Sequence, residues 1–237
     1  MVTSPNRRES TRDVPSAFDD LASRYDEWYD SPLGARIFAL ECACLAPLLA
    51  STAHPRLEIG VGSGRFAQAL ELDVGVDVAA APLELAAARS VHVVRADARQ
   101  LPFVSGSFGA VAAVMTLCFV DDPVALVAEA RRVLFPGATL VLGTIRADSA
   151  WGEAYQSMGR AGHAFYRDAH FFTLAETIEL VTGQGFEVVA SHSTLVGGPE
   201  AELDVERVHR GAARGASFVA LGAVCPQRPR TSPRPHR

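Results

Sequence analysis

Residues 57–66, LEIGVGSGRF, place glycines at positions 60, 62 and 64 directly behind an apolar run with the character of a β-strand. Glycine has no Cβ atom, so a loop built from it turns sharply and lets its N–H groups touch a bound group. The segment therefore predicts a strand followed by a loop that binds a ligand through close approach of its backbone.

Segments typical of strands and helices alternate on the C-terminal side of this loop. The strand candidates are LDVGVDV, VHVVRAD, SFGAVAAVMTLCFV, ATLVLGTI, FEVVASHST and ASFVALGAV, and segments such as PLELAAARS, PVALVAEARRVL and TLAETIELVTG have helical character. Strands that are apolar on both faces and separated by helices indicate a parallel sheet covered on both sides. The predicted fold class is α/β.

One domain over residues 15–225 is predicted, with two additions to the sheet. Residues 15–52 have the pattern of two helices that form a cap, and residues 146–172 form an insertion of the length typical of a lid or substrate-binding element. Residues 1–14 are polar, and residues 226–237 are rich in proline and arginine, so we expect both ends to be disordered.

Composition excludes several classes of enzyme. All 22 basic residues among the 237 are arginine, so the chain has no Schiff-base lysine, no P-loop lysine and no lysine beside a catalytic tyrosine. The net charge of −5 disfavours a nucleic-acid surface.

Apolar runs shorter than a membrane span, and a polar N-terminus, predict a cytoplasmic protein without a membrane segment. Four unevenly placed cysteines predict reduced thiols, and no metal site is expected.

Two classes of cofactor fit a glycine-rich loop behind a strand: nicotinamide dinucleotides and S-adenosylmethionine. The dinucleotide fingerprint GxGxxG requires a third glycine where this chain has Arg65. Glu58 before the first glycine is a second difference, and Asp77 follows Gly62 more closely than in dinucleotide folds. These differences favour S-adenosylmethionine and leave a nicotinamide-dependent oxidoreductase as a less favoured alternative.

Four segments, LEIGVGSGRF, VGVDVA, RADARQLPFVSGSFGAVAAV and EARRVLFPGATLVLG, resemble in this order the class I S-adenosylmethionine-dependent methyltransferases. The likeness is to the ubiquinone/menaquinone-biosynthesis-type group of small-molecule methyltransferases. It implies a Rossmann-like α/β sheet of about seven strands, mostly parallel with the last strand antiparallel, with helices on both faces and an N-terminal helical cap. It also implies transfer of a methyl group to a small-molecule acceptor by in-line displacement.

The resemblance assigns binding of S-adenosylmethionine to particular positions. The loop 60–64 offers N–H donors to the carboxylate of the methionine moiety, and Glu58 faces its amino group. Asp77 accepts the ribose hydroxyls, while Asp97 and Ala98 meet the adenine. The full set of implied contacts is Glu58, Gly60, Val61, Gly62, Gly64, Asp77, Val78, Asp97, Ala98 and Thr116.

The acceptor side is less defined by the sequence. Candidate residues for the acceptor pocket are Tyr25, Cys118, His163 and Tyr166, and none of them is assigned a catalytic role. The segment MTLCFVDDP at residues 115–123 lacks the Asn/Asp-Pro-Pro-aromatic motif of nucleic-acid amino-methyltransferases, so methylation of a base is disfavoured. We expect a monomer or homodimer. A module that binds S-adenosylmethionine without catalysis is the alternative.

Overall fold

A computed structural model describes residues 14–199 and 207–226 of the chain, which form a mixed eight-stranded sheet with helices on both faces. The strands are β1 (Arg56–Ile59), β2 (Val74–Asp77), β3 (His92–Arg95), β4 (Phe108–Val114), β5 (Leu134–Ile145), β6 (Glu187–Val196), β7 (His209–Arg210) and β8 (Ala216–Val224). The helices are α1 (Val14–Trp28), α2 (Pro32–Leu49), α3 (Arg65–Ala69), α4 (Ala80–Ala88), α5 (Pro123–Val133), α6 (Ala150–Arg160) and α7 (Leu174–Gly183). The two predicted disordered ends lie outside the described residues, except for Val14 and Pro226.

The sheet order is β3-β2-β1-β4-β5-β8-β6-β7. The first five strands in this order are parallel, whereas β8 lies between β5 and β6 and is antiparallel to both. The two-residue strand β7 adds an edge beside β6. The predicted α/β sheet is confirmed, and β7 is the addition to the expected seven strands.

Strand β4 shows how the two faces of the sheet are covered. All seven of its residues are buried. Ala110, Ala112 and Val114 join the core formed with α2, α3 and α4, whereas Val111 and Ala113 join the core formed with α5 and α7. Because successive side chains of a strand point to opposite faces, this division requires a strand that is apolar throughout.

The two N-terminal helices occupy different places. Ser31 caps α2 by accepting a hydrogen bond from the Gly34 N–H group at 3.0 Å, and Pro32 suits the first turn. Helix α2 then packs against β5, β6 and β8, whereas α1 packs against α4 near the carboxyl ends of the strands. With 18 residues and a mean hydropathy of 1.5, α2 also has the length and composition of a membrane span.

The insertion at residues 146–172 contains α6, which Ser149 caps by accepting a hydrogen bond from the Gly152 N–H group at 3.1 Å. Trp151 and Phe171 are buried in the same core as α2. Further along the insertion, the Phe165 ring lies 5.4 Å from that of Phe18 on α1. The insertion therefore packs beside α1.

Candidate active site

A cleft of about 270 Å³ opens at the carboxyl ends of β1, β2 and β4. Strand β1 pairs with β2 on one side and β4 on the other, so the cleft lies where the strand order reverses. Crevices at this point of an open α/β sheet are the usual ligand sites of such folds. Helix α1 supplies the opposite wall of the same cleft.

The structure brings together nearly all of the residues implied for binding of S-adenosylmethionine. Those that line the cleft are Glu58, Gly60, Val61, Gly62, Asp77, Val78, Asp97, Ala98 and Thr116. Gly64 does not line it and instead has a φ of +80° at the start of α3. A Cβ atom at Gly64 would lie 2.8 Å from that of Ala86, so this glycine permits close packing against α4.

The other two glycines of the loop have different roles. Gly60 has a φ of +71°, and a Cβ atom there would overlap the side chain of Thr116. That side chain donates a hydrogen bond to the Ile59 carbonyl at 3.1 Å and ties the ends of β1 and β4 together. Gly62 has a φ of +50° and open space where a side chain would project. The loop therefore presents bare backbone to the cleft at Gly62.

The hydrogen bonds of the loop correct one expectation. The N–H groups of Gly60 and Val61 both donate to the Val76 carbonyl, at 2.7 and 3.0 Å. The N–H group of Gly62 donates to the Asp77 carboxylate at 2.9 Å, and that of Gly64 to the Val61 carbonyl. The expected donors of residues 60, 61, 62 and 64 are thus used within the protein. Their bonds fix the loop shape instead of leaving the N–H groups free for a ligand.

Glu58 is the most deeply buried acid of the cleft, with 1% of its surface exposed. Its Oε2 atom has no hydrogen-bond partner among the described residues. Burial, reinforced by the nearby Asp77 carboxylate, raises the pKa of Glu58 well above its usual range. A buried carboxyl oxygen without a partner is costly, so Glu58 suits a cationic ligand group.

Asp77 ends β2 and is held in place by backbone. Its two carboxylate oxygens accept hydrogen bonds from the N–H groups of Gly62 and Ala79, at 2.9 and 3.0 Å. Burial raises the pKa of Asp77, and these hydrogen bonds oppose the rise. A carboxylate has about four lone-pair positions, so about two remain for ligand hydroxyl groups.

Asp97 lies two residues after β3 and forms an ion pair with Arg99. The Arg99 Nη2 atom lies 2.7 Å from one carboxylate oxygen of Asp97. This hydrogen bond from Arg99 holds the pKa of Asp97 below its usual range. Arg99 also lines the cleft and was not singled out from the sequence.

Aromatic rings form the wall opposite the glycine loop. We call Phe18, Tyr25, Tyr29 and Phe119 the aromatic wall, and all four line the cleft. The Phe18 and Phe119 rings lie 5.1 Å apart, and those of Tyr25 and Tyr29 lie 5.6 Å apart. The hydroxyl oxygens of Tyr25 and Tyr29 are 3.3 Å apart. Phe18 and Tyr25 lie on α1 and Tyr29 follows its last residue, which makes this helix part of the site.

A cluster of ion pairs joins α1 to the glycine loop. Asp26 lies 2.7 Å from both the Arg65 Nε and the Arg89 Nη2 atoms, and Arg65 also contacts Asp30 at 2.9 Å. Arg89 donates a further hydrogen bond to the Ser63 carbonyl at 2.8 Å. Burial alone would raise the pKa of Asp26, but the hydrogen bonds from Arg65, Ser63 and Arg89 lower it to about 2.

Only one of the four candidate acceptor residues lines the cleft. Tyr25 lines the cleft, whereas Cys118, His163 and Tyr166 do not. Cys118 is buried, and its thiol donates to the Met115 carbonyl at 3.6 Å. His163 is exposed and stacks on Tyr166, which stacks on Tyr155. The described residues contain no group of three or more His, Cys, Asp or Glu side chains placed to bind a metal.

Comparison with known proteins identifies the fold and its chemistry. Residues 57–142 match the family model described as Methyltransferase domain. A crystal structure from Thermotoga maritima, described as a S-adenosylmethionine-dependent methyltransferase and possible histamine N-methyltransferase, superimposes with a TM-score of 0.80 at 29% identity. The alignment covers 89% of this chain and 99% of that one. The chain belongs to the S-adenosylmethionine-dependent methyltransferases.

Relatives by sequence include an uncharacterized protein and a named methyltransferase. The methyltransferase is 46% identical over 204 residues to an uncharacterized protein of Mycobacterium tuberculosis, covering 86% of this chain and 72% of that protein. It is 36% identical over 141 residues to the demethylmenaquinone methyltransferase of Mycolicibacterium vanbaalenii, covering 55% and 59% of the two chains. The second match is consistent with the predicted ubiquinone/menaquinone-type group.

S-adenosylmethionine fits the cleft of this methyltransferase on two structural observations. The unpartnered Oε2 atom of Glu58 suits the ammonium group of the methionine moiety. The open space beside Gly62 admits a ligand group against the backbone, where a side chain would fill it. Both features lie beside Asp77, which keeps lone pairs for the ribose.

Proposed function

We propose that this methyltransferase acts on a small molecule that binds between the glycine loop and the aromatic wall. The observation that supports the proposal is that all the implied donor contacts except Gly64 line one cleft together with the aromatic wall. S-adenosylmethionine supplies a methyl group on a positively charged sulfur. The protein then has to align the acceptor atom with that group, and such positioning contributes roughly 7–11 kcal/mol in well-oriented reactions.

Each part of the cleft has a defined role in this proposal. Glu58 binds the ammonium group, Asp77 the ribose, and Asp97 with Ala98 the adenine. Tyr25 and the other rings of the aromatic wall exclude water and hold the acceptor. A cleft of about 270 Å³ with α1 as one wall favours a small molecule over nucleic acid. We also propose that the enzyme works in the cytoplasm, as a monomer or homodimer, without binding a membrane.

Calorimetry with S-adenosylmethionine, S-adenosylhomocysteine and NADH tests the donor assignment, and the variant Asp77→Ala tests the ribose contact. We expect binding of the two adenosyl compounds and none of NADH. Loss of the Asp77 carboxylate should weaken their binding by roughly 1–3 kcal/mol. Binding of NADH alone, or an unchanged affinity in the variant, would reject these roles. Donor binding without methylation of any amine, thiol, phenol or carboxylate would favour the non-catalytic module.

A further inference from the structure

A second buried acid lies behind the aromatic wall and has no role in donor binding. Glu41, on α2, has 4% of its surface exposed. Within the described residues no charged partner acts on its carboxyl group, and burial raises its pKa to about 8. A buried carboxyl group without a cation beside it costs folding free energy when it ionises, so its presence calls for a function.

The position of Glu41 connects it to the cleft. Phe38 lies one turn earlier on α2, and its ring is 5.7 Å from that of Tyr29. Residues three apart share one face of a helix, so Glu41 lies on the face of α2 that turns toward Tyr29. Its carboxyl group interacts electrostatically with both Tyr25 and Tyr29, whose hydroxyl groups are in contact. Both tyrosines line the cleft, and Glu41 lies near enough to each for its charge to act on it.

The groups around Glu41 offer it no cation. The side chains that interact electrostatically with its carboxyl group are Tyr25 on α1, Tyr29 just after α1, Tyr155 on α6, and Cys42 and Cys44 on its own helix. All of these side chains are neutral near pH 7. Burial is the one influence that moves the pKa of Glu41, so neither the β-strands beneath α2 nor the other helices supply a charge that acts on it.

The charges that line the cleft also favour a cationic acceptor. Four acids, Glu58, Asp77, Asp97 and Asp121, line it together with two arginines, of which Arg99 pairs with Asp97 and Arg65 with Asp26. Aromatic rings attract cations through their faces. Methylation of an amine keeps a positive charge in the pocket, because the charge passes from sulfur to nitrogen. Methylation of a phenolate or carboxylate removes that charge and first places an anion beside the buried acids.

We propose that the acceptor is a small amine held by the aromatic wall, and that Glu41 takes up its proton through the hydroxyl groups of Tyr25 and Tyr29. The inference rests on the proposed function. In this assignment Tyr25 contacts the substrate, and Glu41 is a positioning residue that acts through the tyrosine pair.

The proton balance of the reaction follows from this arrangement. The amine arrives as an ammonium ion, and Glu41 releases one proton to solvent when the cation binds. The ammonium ion then gives a proton to the Glu41 carboxylate and becomes a free amine. Its lone pair forms the nitrogen–carbon bond as the carbon–sulfur bond breaks, and that electron pair stays on sulfur. The products are a methylated ammonium ion, S-adenosylhomocysteine and one proton in solution.

The first test is calorimetric and needs no turnover. The protein is saturated with S-adenosylhomocysteine and titrated with 2-phenylethylamine at pH 7 in buffers of different ionisation enthalpy. We expect release of roughly one proton per bound amine, because a cation beside Glu41 lowers the pKa of its carboxyl group. The variant Glu41→Gln should release none, and Glu27→Gln, exposed on α1, should match the unaltered protein. The same proton release in Glu41→Gln, or no amine binding to a protein that binds S-adenosylhomocysteine, overturns the inference.

The second test measures methylation. With radiolabelled S-adenosylmethionine, 2-phenylethylamine should be methylated in preference to 4-ethylphenol and 3-phenylpropionate. Glu41→Gln should lower the amine rate by roughly 10²–10⁴-fold. The kcat/KM of the unaltered protein divided by that of Glu41→Gln should decline as the pH falls through about 8, since kcat/KM follows the pKa of the free enzyme and the amine's own titration is common to both.

The remaining controls separate this inference from the proposed function. If Glu41→Gln does not fold, Tyr25→Phe takes its place in the test. This variant keeps the ring and loses the hydroxyl group, so it should show the same loss of amine methylation. Preference for the phenol or the carboxylate, transfer to none of the three, or an unchanged pH profile overturns the amine assignment or the role of Glu41. Failure to bind S-adenosylmethionine at all would contradict the proposed function instead.

Discussion

The two walls of the cleft are held by different kinds of bonds. Backbone hydrogen bonds and glycines shape the donor wall, where Gly60 and Val61 donate to the Val76 carbonyl and Gly62 donates to Asp77. Side chains shape the opposite wall, where aromatic rings pack and Asp26 bridges two arginines. Backbone geometry tolerates few changes at its glycines, whereas side-chain contacts are replaceable one by one. We therefore expect the donor wall to fix the cofactor and the aromatic wall to determine the acceptor.

Replacing Gly60 by alanine is expected to have the largest effect on stability, because it disrupts the backbone geometry of the donor wall. The new methyl group would overlap Thr116, and a residue with a side chain is strained at a φ of +71°. Strain and overlap together should lower the free energy of unfolding by about 2–5 kcal/mol. Urea unfolding measures this loss.

Gly211→Ala is the matched control for this change. Gly211 has a φ of +77° and no atom within 4 Å of the added methyl group, so that variant carries the strain alone. It should lose about 1–2 kcal/mol. Equal losses in the two variants would show that the Thr116 contact does not require glycine at position 60.

The variant Glu58→Gln separates ligand binding from folding on the donor wall. A raised pKa in the folded state means that the ligand-free protein loses stability as the pH rises above about 4.5, the value of an exposed glutamate. The glutamine variant should escape that loss and unfold at an equal or higher temperature at pH 7. Its affinity for S-adenosylmethionine should fall roughly 10- to 100-fold, since hydrogen bonds to charged groups contribute about 1.5–3 kcal/mol.

Calorimetry and thermal unfolding, run on the same samples, check both expectations for Glu58. Glu84→Gln, at an exposed position on α4, serves as the control and should change neither quantity. A lower unfolding temperature together with an unchanged affinity would mean that Glu58 has a structural role and does not bind the ammonium group.

The same division of the cleft explains how much the sequence could predict. The donor wall is local, since a strand, a glycine loop and Asp77 follow one another within 21 residues, and their types carry the chemistry. The role of Gly64 depends on α4, which packs against it only in the folded chain. The sequence pattern likewise does not show that the loop N–H groups bond to Val76 and Asp77, because β2 lies beside the loop only in the folded chain.

The aromatic wall was less predictable, because segments far apart in sequence build it. The sequence suggests Tyr25 as an acceptor residue, but nothing in it marks Phe119 or Arg99 as residues of the cleft. Arg65 was noted only as a missing glycine, and its ion pair with Asp26 joins segments 39 residues apart. Glu41 gave no signal, because one acid in an apolar helix does not show which residues surround it.

The variant Asp26→Asn tests whether α1 depends on its ion pairs to close the second wall. The pKa of Asp26 is about 2 in the folded protein against 3.8 for an exposed aspartate, and this difference corresponds to about 2 kcal/mol of stability. Because the folded pKa is the lower one, the stabilisation is complete above about pH 4 and is lost as the pH falls toward 2. The variant should therefore unfold at lower urea concentration than the unaltered protein at pH 7, with the difference shrinking in acid.

Asp30→Asn is the control, because it removes an exposed partner of the same Arg65, and such pairs contribute about 0.2–1 kcal/mol. Equal effects of the two substitutions would show that burial of Asp26 adds nothing to the ion pairs, and that the rings of α1 hold this wall by packing alone.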